Sequence, residues 1–559
     1  MCRAYWFVSS MILTVALLPK FLPPNAQTAL ALDRSVGTPG IDARKLHVAP
    51  YNLTGKDICI GQIELSRPGQ FAVDKIVNRL IQLDRVAIEP FEVFFRDGKP
   101  VPNRNLDDHS AQVAAVMISR NKIHQGVAPQ AKLLSSAYAQ RRRDGQPEAV
   151  LASQHVARQC NGNVRALNFS FGEPLNEDPR PKPKLDGNAL LTLSLDWLAI
   201  TYNTLPVVAG NQGKGGIPIP TDLYNGIVVG FTRERDGVYS QLDRGNLIDE
   251  PFIDRNGNGR YDVGEYFTDL NKDGKWTPGV ESPTDGRRSL SLLAPGNNVM
   301  LPDLKGKFIS ANGTSFASPH VVGTIALLHE YADRQILNGQ WGIDARRHEV
   351  IKAVLINSAD KIKDTGDGKA LGMSKTILDT YGKTWLDSEA YRSRDIPLSL
   401  HLGAGQLNAA RAIQQFQAGQ QSPGMVSTIG WDSHVVEATQ YQEYIFAEPL
   451  MADSFVAITL TWDRLVSLND KNGNRLFEIG ESFKNGGINN LELYLMREQD
   501  NDISQNVWSS ISKIDNLQHI FIKVPSAGRY KIRVVFSTPQ NNDPIQRYGL
   551  AWWTAPVKR

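Results

Sequence analysis

The segment that most restricts the fold of this chain is Gly313–His320, with the sequence GTSFASPH. An apolar run at helical spacing follows it over residues 321–328. The pattern predicts a buried helix with Ser315 in its first turn, beside free N–H donors and the positive end of the helix dipole. That position suits a hydroxyl that attacks a carbonyl and stabilises the resulting oxyanion. A capped core helix is the alternative, but it does not account for the residues on either side of Ser315.

Length and charge narrow the class of protein. The chain has 559 residues, which is too many for one ordinary core, so at least two domains are expected. Its composition, 41% hydrophobic and 21% charged, is that of a folded soluble protein. The formal net charge of +3 is nearly balanced for this length, which argues against nucleic acid as the main partner.

The amino terminus has the pattern of a secretory signal over residues 1–31. Arg3 precedes an apolar run from Trp6 to Leu18, and a small-x-small site ends at Ala31. The run is short for a bilayer span, although an uncleaved anchor is the alternative. We therefore expect a secreted or periplasmic protein with no stable membrane insertion after signal cleavage. Residues 32–54 are polar and are interpreted as a short leader segment.

Three cysteines are present, and the expected signal cleavage removes Cys2. Cys59 lies inside an apolar run, and Cys160 follows a predicted helix over residues 148–160. We expect two buried free thiols, with a disulfide between them as the open alternative. No cysteine has a metal-binding spacing.

Three further polar residues lie at the ends of predicted elements, where a solvated carboxylate, a structural histidine and an ordinary turn asparagine are the alternatives to catalytic roles. Glu64 ends a predicted buried strand, and the carboxyl ends of parallel strands face the crevice of an α/β sheet. His109 begins an Ala/Val-rich helix, and Asn211 lies in a Gly-rich turn after the strand that starts at Pro206. Strands and helices alternate from residue 57 to residue 417, including a helix over residues 190–202, which predicts a doubly wound parallel sheet.

These motifs, in this order, resemble those of the subtilisin-like serine proteases. The resemblance rests on the serine motif, on the residues around His109, on Gly126–Leu133, on Val208–Asn211 and on a closing segment at 403–412. It implies a nucleophile at Ser315, a general base at His109 and an oxyanion donor at Asn211. It also implies that the strand end of residues 170–172 pairs with substrate, and the expected substrate-binding set is Ser170, Phe171, Gly172, Ala209 and Gly210.

The chain departs from the family pattern at three places. Glu64 stands where the family has the aspartate that orients the histidine, and we expect the glutamate to take that role. Ser110, Ala111 and Gln112 replace the family's usual Gly-Thr-His after the histidine. The 23 residues of the leader segment cannot hold the folding-assistant pro-domain that many secreted relatives carry.

An insertion at residues 243–288 contains a calcium-loop pattern, in which oxygen ligands spaced two apart converge on one large cation. The candidate ligands of this loop are Asp254, Asn256, Asn258, Arg260, Asp262 and Glu265. A second loop begins in the same way with Asp269, Asn271 and Asp273 but lacks the acid at its twelfth position. We expect structural Ca²⁺ as the cofactor, with a plain Asn-Gly turn as the alternative at the first loop.

The pattern changes after a Gln/Ser/Pro/Gly linker at residues 418–424. Short alternating strands bounded by turn residues predict an all-β antiparallel sandwich over residues 425–559. This region contains a third calcium-like loop with Asp470, Asn472, Asn474, Glu478 and Glu481, in which Arg475 replaces the turn glycine.

The predicted function is that of a secreted serine endopeptidase acting on protein or peptide substrates, with its catalytic domain at residues 55–417. One alternative is a catalytically inactive relative that uses the peptide groove and the sandwich for binding or adhesion, which Glu64 and the residues after His109 motivate. Another is a non-protease acyl hydrolase, against which the strand edge at residues 170–172 argues.

Overall fold

A computed structural model gives the fold. It describes residues 30–66, 68, 88–90, 92–93, 101–102, 107–121, 124–137, 145–173, 175–210, 218–242, 250–258, 261–269, 274–276, 283–304, 307–540 and 543–557. Most of the expected signal segment lies outside these ranges, as do Asn211, Arg260, Asn271 and Asp273. Over the described ranges, no helix combines the length and the apolar character that crossing a bilayer requires.

Strands and helices alternate through the first part of the chain, as the sequence predicts. The helices are α1 (Leu32–Val36), α2 (Asp108–Ile118), α3 (Gln146–Ala157), α4 (Gln159–Gly162), α5 (Leu190–Tyr202), α6 (Thr314–Leu337), α7 (His348–Asn357) and α8 (Ala409–Phe416). The strands are β1 (Leu30–Ala31), β2 (Cys59–Glu64), β3 (Ile88–Pro90), β4 (Glu92–Val93), β5 (Val101–Pro102), β6 (Lys132–Ala137), β7 (Val164–Phe169), β8 (Leu205–Ala209), β9 (Ile227–Arg235), β10 (Val238–Leu242), β11 (Leu292–Pro295), β12 (Val299–Pro302), β13 (Phe308–Ala311) and β14 (Ile377–Leu378).

The central sheet is parallel except at one strand pair. Its order is β14-β10-β9-β8-β7-β2-β6-β3, with β11 also paired to β9, and only β10 runs antiparallel to its neighbour β9. Apolar side chains project from both faces of the strands, because helices cover both faces of the sheet. Ile60 and Leu133 pack against α2 and α6, while Ile63 and Leu134 pack against α3 and α5. The prediction of a doubly wound α/β sheet is confirmed.

The segment expected to be a leader packs into the core beneath α2 and α6. Leu32, Val36 and Leu46 are fully buried there. A hydrogen bond to a distant part of the chain also holds the middle of this segment: the carbonyl of Ile41 accepts from the N–H of Ala409 at 2.7 Å. Residues 32–54 therefore share one core with the sheet.

Cys59 and Cys160 form a disulfide, so the expectation of two free thiols is wrong. Cys59 begins β2, and Cys160 lies in the short α4 that follows α3. Helix α3 packs so closely on β2 that a Cβ on Gly61 would come within 2.6 Å of Val156 Cγ1. This packing brings the two cysteine Cα atoms to 6.7 Å across a sequence separation of 101 residues, which spacing along the chain does not indicate.

The C-terminal region consists of sheets that are antiparallel except where β15 pairs with β17, which confirms the predicted fold class of this region. Its strands are β15 (Gly424–Val426), β16 (Ile429–Glu437), β17 (Tyr441–Phe446), β18 (Phe455–Trp462), β19 (Leu465–Asn469), β20 (Ser482–Gly487), β21 (Asn490–Arg497), β22 (Trp508–Ser510), β23 (Leu517–Lys523), β24 (Tyr530–Thr538) and β25 (Ile545–Trp553). One sheet has the order β15-β17-β24-β21-β22 and the other β16-β25-β18-β23, with apolar side chains from both sheets meeting between them.

The sandwich packs directly on the α/β region. Helix α7 lies against β18 and β25, and a Cβ on Gly549 would come within 2.7 Å of the main chain of Glu349. The hairpin β19–β20 reaches further and inserts Phe477 and Phe483 beside Trp197 of α5. A buried ion pair between Arg464 and Asp196 lies in the same interface.

Candidate active site

Glu64 ends β2 at the carboxyl edge of the sheet. The strand is buried along its length, and the Glu64 side chain is 2% exposed. Its Oε2 atom lies 3.4 Å from Nδ1 of His109, whereas Oε1 has no hydrogen-bond partner within the described part of the chain. The longer glutamate side chain therefore reaches the histidine that the sequence places opposite it.

His109 is the second residue of α2, in the turn where the helix begins. Asp107 caps this turn by accepting a hydrogen bond from the N–H of Ser110. Two more bonds fix α2 to the end of β2: Ser110 Oγ donates to the carbonyl of Ser66 at 2.6 Å, and Gln62 Nε2 donates to the carbonyl of Ser110 at 2.9 Å. Neither Gln62 nor Ser110 is recognisable as a support from the sequence, because both bonds join residues more than 40 positions apart.

The electrostatic surroundings of His109 favour the imidazolium ion. Burial by itself would lower the pKa of His109, but the carboxylate of Glu64 outweighs burial and raises this pKa, with a smaller contribution from Asp107. A histidine held in this way carries a proton more readily, as a base must when it removes one from a nucleophile.

Ser315 occupies the first turn of α6, as predicted, and is 6% exposed. The ring of the next residue, Phe316, packs against the ring of His109 with centroids 5.6 Å apart. The Ser315 hydroxyl donates to the carbonyl of Ser170 at 3.2 Å. In this arrangement the serine hydroxyl is turned toward the strand end of β7, and the histidine ring lies over the neighbouring residue.

The end of β7 is joined to the first turn of α6 by a hydroxyl network. Ser170 Oγ donates to the carbonyl of Ser315 at 2.9 Å and lies 3.1 Å from Ser318 Oγ. Asn168 Nδ2 donates to Ser170 Oγ at 2.9 Å. Ser318 and Asn168 were not identified from the sequence, although Ser318 lies one helical turn from Ser315 in the motif, which is a signal that could have found it.

The expected substrate-binding residues flank this network. Thr314 Oγ1 donates to the carbonyl of Gly210 at 2.6 Å, which connects the end of β8 to the same turn of α6. Phe171 is half-buried against Phe169, and a Cβ on Gly172 would come within 2.3 Å of Pro218. The ends of β7 and β8 thus border the Ser315 turn, whereas Asn211, directly after Gly210, lies outside the described residues.

Two loops predicted to bind calcium have the same internal geometry although they are far apart in sequence. In the first, the N–H of Arg255 donates to Glu265 Oε1 at 2.8 Å, and the N–H of Asp262 donates to Glu265 Oε2 at 3.0 Å. In the third, the main-chain N–H groups of Lys471 and Glu478 donate to the two Oε atoms of Glu481 at 2.8 and 2.9 Å.

The first carboxylate of each of these two loops also accepts a hydrogen bond from the main chain of its own loop. Asp254 Oδ1 accepts from the N–H of Gly257, and Asp470 Oδ1 accepts from the N–H of Gly473, both at 2.7 Å. Arg475 has a φ of 62°, so it takes the left-handed turn conformation that its position requires, despite not being glycine. The structure describes five candidate side chains in each of the first and third loops, whereas only Asp269 of the second loop's three candidates is described.

This chain is similar to known peptidases. The subtilase family (peptidase family S8) matches residues 89–374, a range that includes His109 and Ser315 and begins after Glu64. Thermitase from Thermoactinomyces vulgaris is 21% identical over 276 residues, covering 49% of this chain and 75% of thermitase.

Solved structures of two proteases are also similar to this chain. The prenylagaramide maturation protease PagA has 19% identity and a TM-score of 0.40, covering 67% of this chain and 98% of PagA. The protease domain of PatA has 18% identity and a TM-score of 0.36, covering 64% of this chain and 94% of that domain. Because the family match spans just over half of the 559 residues, this protein belongs to the subtilase family of peptidases.

Proposed function

We propose that this subtilase is an active serine endopeptidase with a Ser315-His109-Glu64 triad. The observation that carries the proposal is the 3.4 Å approach of the buried Glu64 carboxylate to His109 Nδ1. It supports the role of the glutamate as the acid of the triad, since a carboxylate behind the ring holds the imidazole in the tautomer that presents Nε2 to the nucleophile.

The proposed reaction begins with attack of Ser315 Oγ on the carbonyl carbon of the scissile peptide. His109 takes the hydroxyl proton as the C–O bond forms and returns it to the leaving amine, and water then repeats the cycle on the acyl-enzyme. Glu64 stabilises the imidazolium that forms between these two transfers. The N–H of Ser315, at the amino end of α6, and the side-chain amide of Asn211 donate to the oxyanion.

The substrate of the proposed peptidase is an extended polypeptide. We infer that its backbone lies along the strand end at residues 170–172, with Ala209 and Gly210 on the other side of the cleft. Protein and peptide substrates follow from family membership. The buried position of Gly210, whose N–H donates to the carbonyl of Val229 at 2.8 Å, supports a fixed wall on that side.

We also propose an extracytoplasmic location and structural calcium. The disulfide between Cys59 and Cys160 supports the location, because disulfides persist in oxidising compartments. Calcium would bind through the carboxylates and amides of the first and third loops, where it would replace the main-chain N–H groups that now occupy Glu265 and Glu481. Its contribution would be stability of the insertion and of the β19–β20 hairpin.

A fluorophosphonate probe tests the proposal directly, because it labels only an activated serine nucleophile. We expect covalent labelling of the full-length protein at Ser315, identified by mass spectrometry, together with cleavage of an unstructured protein such as casein. Binding of peptides without labelling or cleavage would instead favour the inactive peptide-binding relative.

A further inference from the structure

A cavity of about 560 Å³ lies at the amino ends of the central strands, at the opposite edge of the sheet from Ser315. It is bordered by the end of α5, by α4 and by the segment before α7. Three arginines and three other polar side chains supply most of its lining: Arg158, Arg165, Arg346, Asn161, Asn163 and Tyr202. Arg165 is five residues before Ser170 on β7, about 17 Å along the strand.

Arg165 is the unusual member of this group. It is 7% exposed, and within the described residues no carboxylate forms an ion pair or hydrogen bond with its guanidinium. The acid with the strongest influence on it, Asp333, is already bound by Arg346, whose Nε lies 2.5 Å from Asp333 Oδ1. Two of the three guanidinium groups therefore face the cavity without a counter-charge among the described residues.

The positive potential reaches the residues behind the cavity. Burial lowers the pKa of Arg165; the charge of Asp333 offsets part of this shift, and the smaller effect of Arg346 lowers the pKa again. His329 of α6 is fully buried, and its pKa falls well below the usual range because of burial and then because of Arg165 and Arg346. The carboxyl end of α5 offsets part of this potential through its last main-chain carbonyls but supplies no full negative charge.

A buried charge without a partner is costly, so a protein that retains one gains from a ligand that pairs with it. Guanidinium groups present fixed pairs of donors that match tetrahedral oxyanions, and the amides of Asn161 and Asn163 add neutral donors at the rim. We propose that this cavity binds an oxyanion of the phosphate or sulfate type, with Arg165 as the central ligand and Arg158 and Arg346 at its sides. The volume leaves room for a larger group attached to the anion.

Thermal unfolding of the full-length Ser315→Ala protein, which cannot digest itself, tests this site. Sodium phosphate and sodium sulfate are titrated against sodium chloride at equal ionic strength. We expect the Tm to rise by several degrees with the oxyanion. Arg165→Met, which keeps most of the side-chain volume and removes the charge, should lose that rise and should melt at or above the parent Tm in chloride.

Two controls make the result specific. Arg235→Met removes an arginine that is 72% exposed and lies on β9 away from the cavity, and it should respond like the parent. Any effect of phosphate through calcium would appear equally in Arg165→Met, which retains all three calcium-like loops. Should Arg165→Met fail to fold, Arg158→Gln at the rim replaces it and should reduce the rise.

The two anions distinguish the ligand. A response to phosphate alone indicates recognition of a protonated or phosphate-bearing group, a response to sulfate alone indicates a sulfated one, and equal responses indicate a general dianion site. The proposal is overturned if neither anion raises the Tm above that in chloride, or if Arg165→Met and the parent respond alike. None of these outcomes depends on peptidase activity.

Discussion

Glu64 Oε2 and His109 Nδ1 lie 3.4 Å apart, and the glutamate makes this approach from the last position of a buried strand. An aspartate at this position would have one methylene fewer and a correspondingly shorter reach. Freezing the extra torsion of glutamate costs on the order of 0.5 kcal/mol or more. The buried strand around Glu64 restricts the side chain in the folded protein before any substrate binds.

Replacing Ser315 with alanine should abolish both peptide cleavage and fluorophosphonate labelling while leaving the Tm nearly unchanged. The change removes the attacking oxygen and its hydrogen bond to the carbonyl of Ser170. Cleavage and labelling are measured on protein whose circular dichroism matches that of wild type, with the exposed Ser422→Ala as the matched control. If folded Ser315→Ala protein cleaved at the wild-type rate, another residue would be the nucleophile.

Glu64→Gln should keep the fold and lower kcat by about three to four orders of magnitude, because the amide favours the wrong imidazole tautomer. It should also move the acid limb of the activity profile. The base form of His109 is needed for activity, so activity rises as pH increases through the raised pKa of His109. Loss of the carboxylate charge lowers that pKa, and the residual activity should therefore persist to lower pH.

Glu64→Asp is the matched control for this pair, since it keeps the charge and shortens the reach, and we expect a milder loss. The pH dependence of kcat/KM for all three proteins is the measurement. A Glu64→Gln protein with the wild-type rate and an unshifted acid limb would place the acid of the triad elsewhere.

Removing calcium should lower the Tm. A cation that binds only the folded protein adds about 2.7 kcal/mol at one hundred times its Kd. Glu265→Gln and Glu481→Gln each remove one charge from a twelfth-position ligand, so each should reduce the difference between melting curves in calcium and in chelator. Exposed Glu437→Gln is the control. Identical curves for wild type under both conditions, with no calcium found by elemental analysis, would contradict the proposal.

Reducing the disulfide should destabilise the α/β region. The bond closes a loop of about one hundred residues, for which the loss of loop entropy in the unfolded chain corresponds to roughly 4–5 kcal/mol. A Cys59→Ser, Cys160→Ser double variant should therefore melt many degrees below wild type, and dithiothreitol should affect wild type but not the variant. Thiol titration of the denatured protein provides the check, and two reactive thiols at these positions without reductant would disprove the bond.

The contact between His348 and Asp463 should make the stability of the domain interface depend on pH. His348 Nε2 lies 2.9 Å from Asp463 Oδ1 on the sandwich. Burial would lower the pKa of His348, but Asp463 and then Glu349 raise it above its usual value. A raised histidine pKa contributes stability that is complete below about pH 6.5 and is lost as pH rises through the folded-state pKa.

The measurement is the free energy of unfolding of wild type relative to His348→Gln at several pH values, since the comparison cancels the titration of other groups. One of these is Lys352, whose pKa burial lowers to about 8 and whose titration stabilises the fold as pH rises. We expect the advantage of wild type to shrink as pH rises above 6.5. An advantage that is constant with pH would show that folding leaves the pKa of His348 unchanged.

The sequence predicted the layers of the fold and the order of the catalytic segments, because these depend on local apolar patterns and short motifs. Helix α5 has the predicted bounds of Leu190–Tyr202. Contacts between distant residues could not be predicted in this way. The disulfide, the bond from Gln62 to Ser110 and the cavity around Arg165 all depend on how α2, α3 and α5 pack on the sheet, which no single segment determines.

Gly549 stands at the point where β25 meets α7, with room for a hydrogen and for nothing larger. The surface of the sandwich is therefore complementary in shape to this particular helix, and a different sandwich would not pack on it in the same way. A recombination event that joined the α/β region to a sandwich from another protein would need the same missing side chain at the same strand position. The two halves of the chain are in this sense bound to a shared evolutionary history, in which a side chain at position 549 is tolerated only if the main chain of α7 shifts.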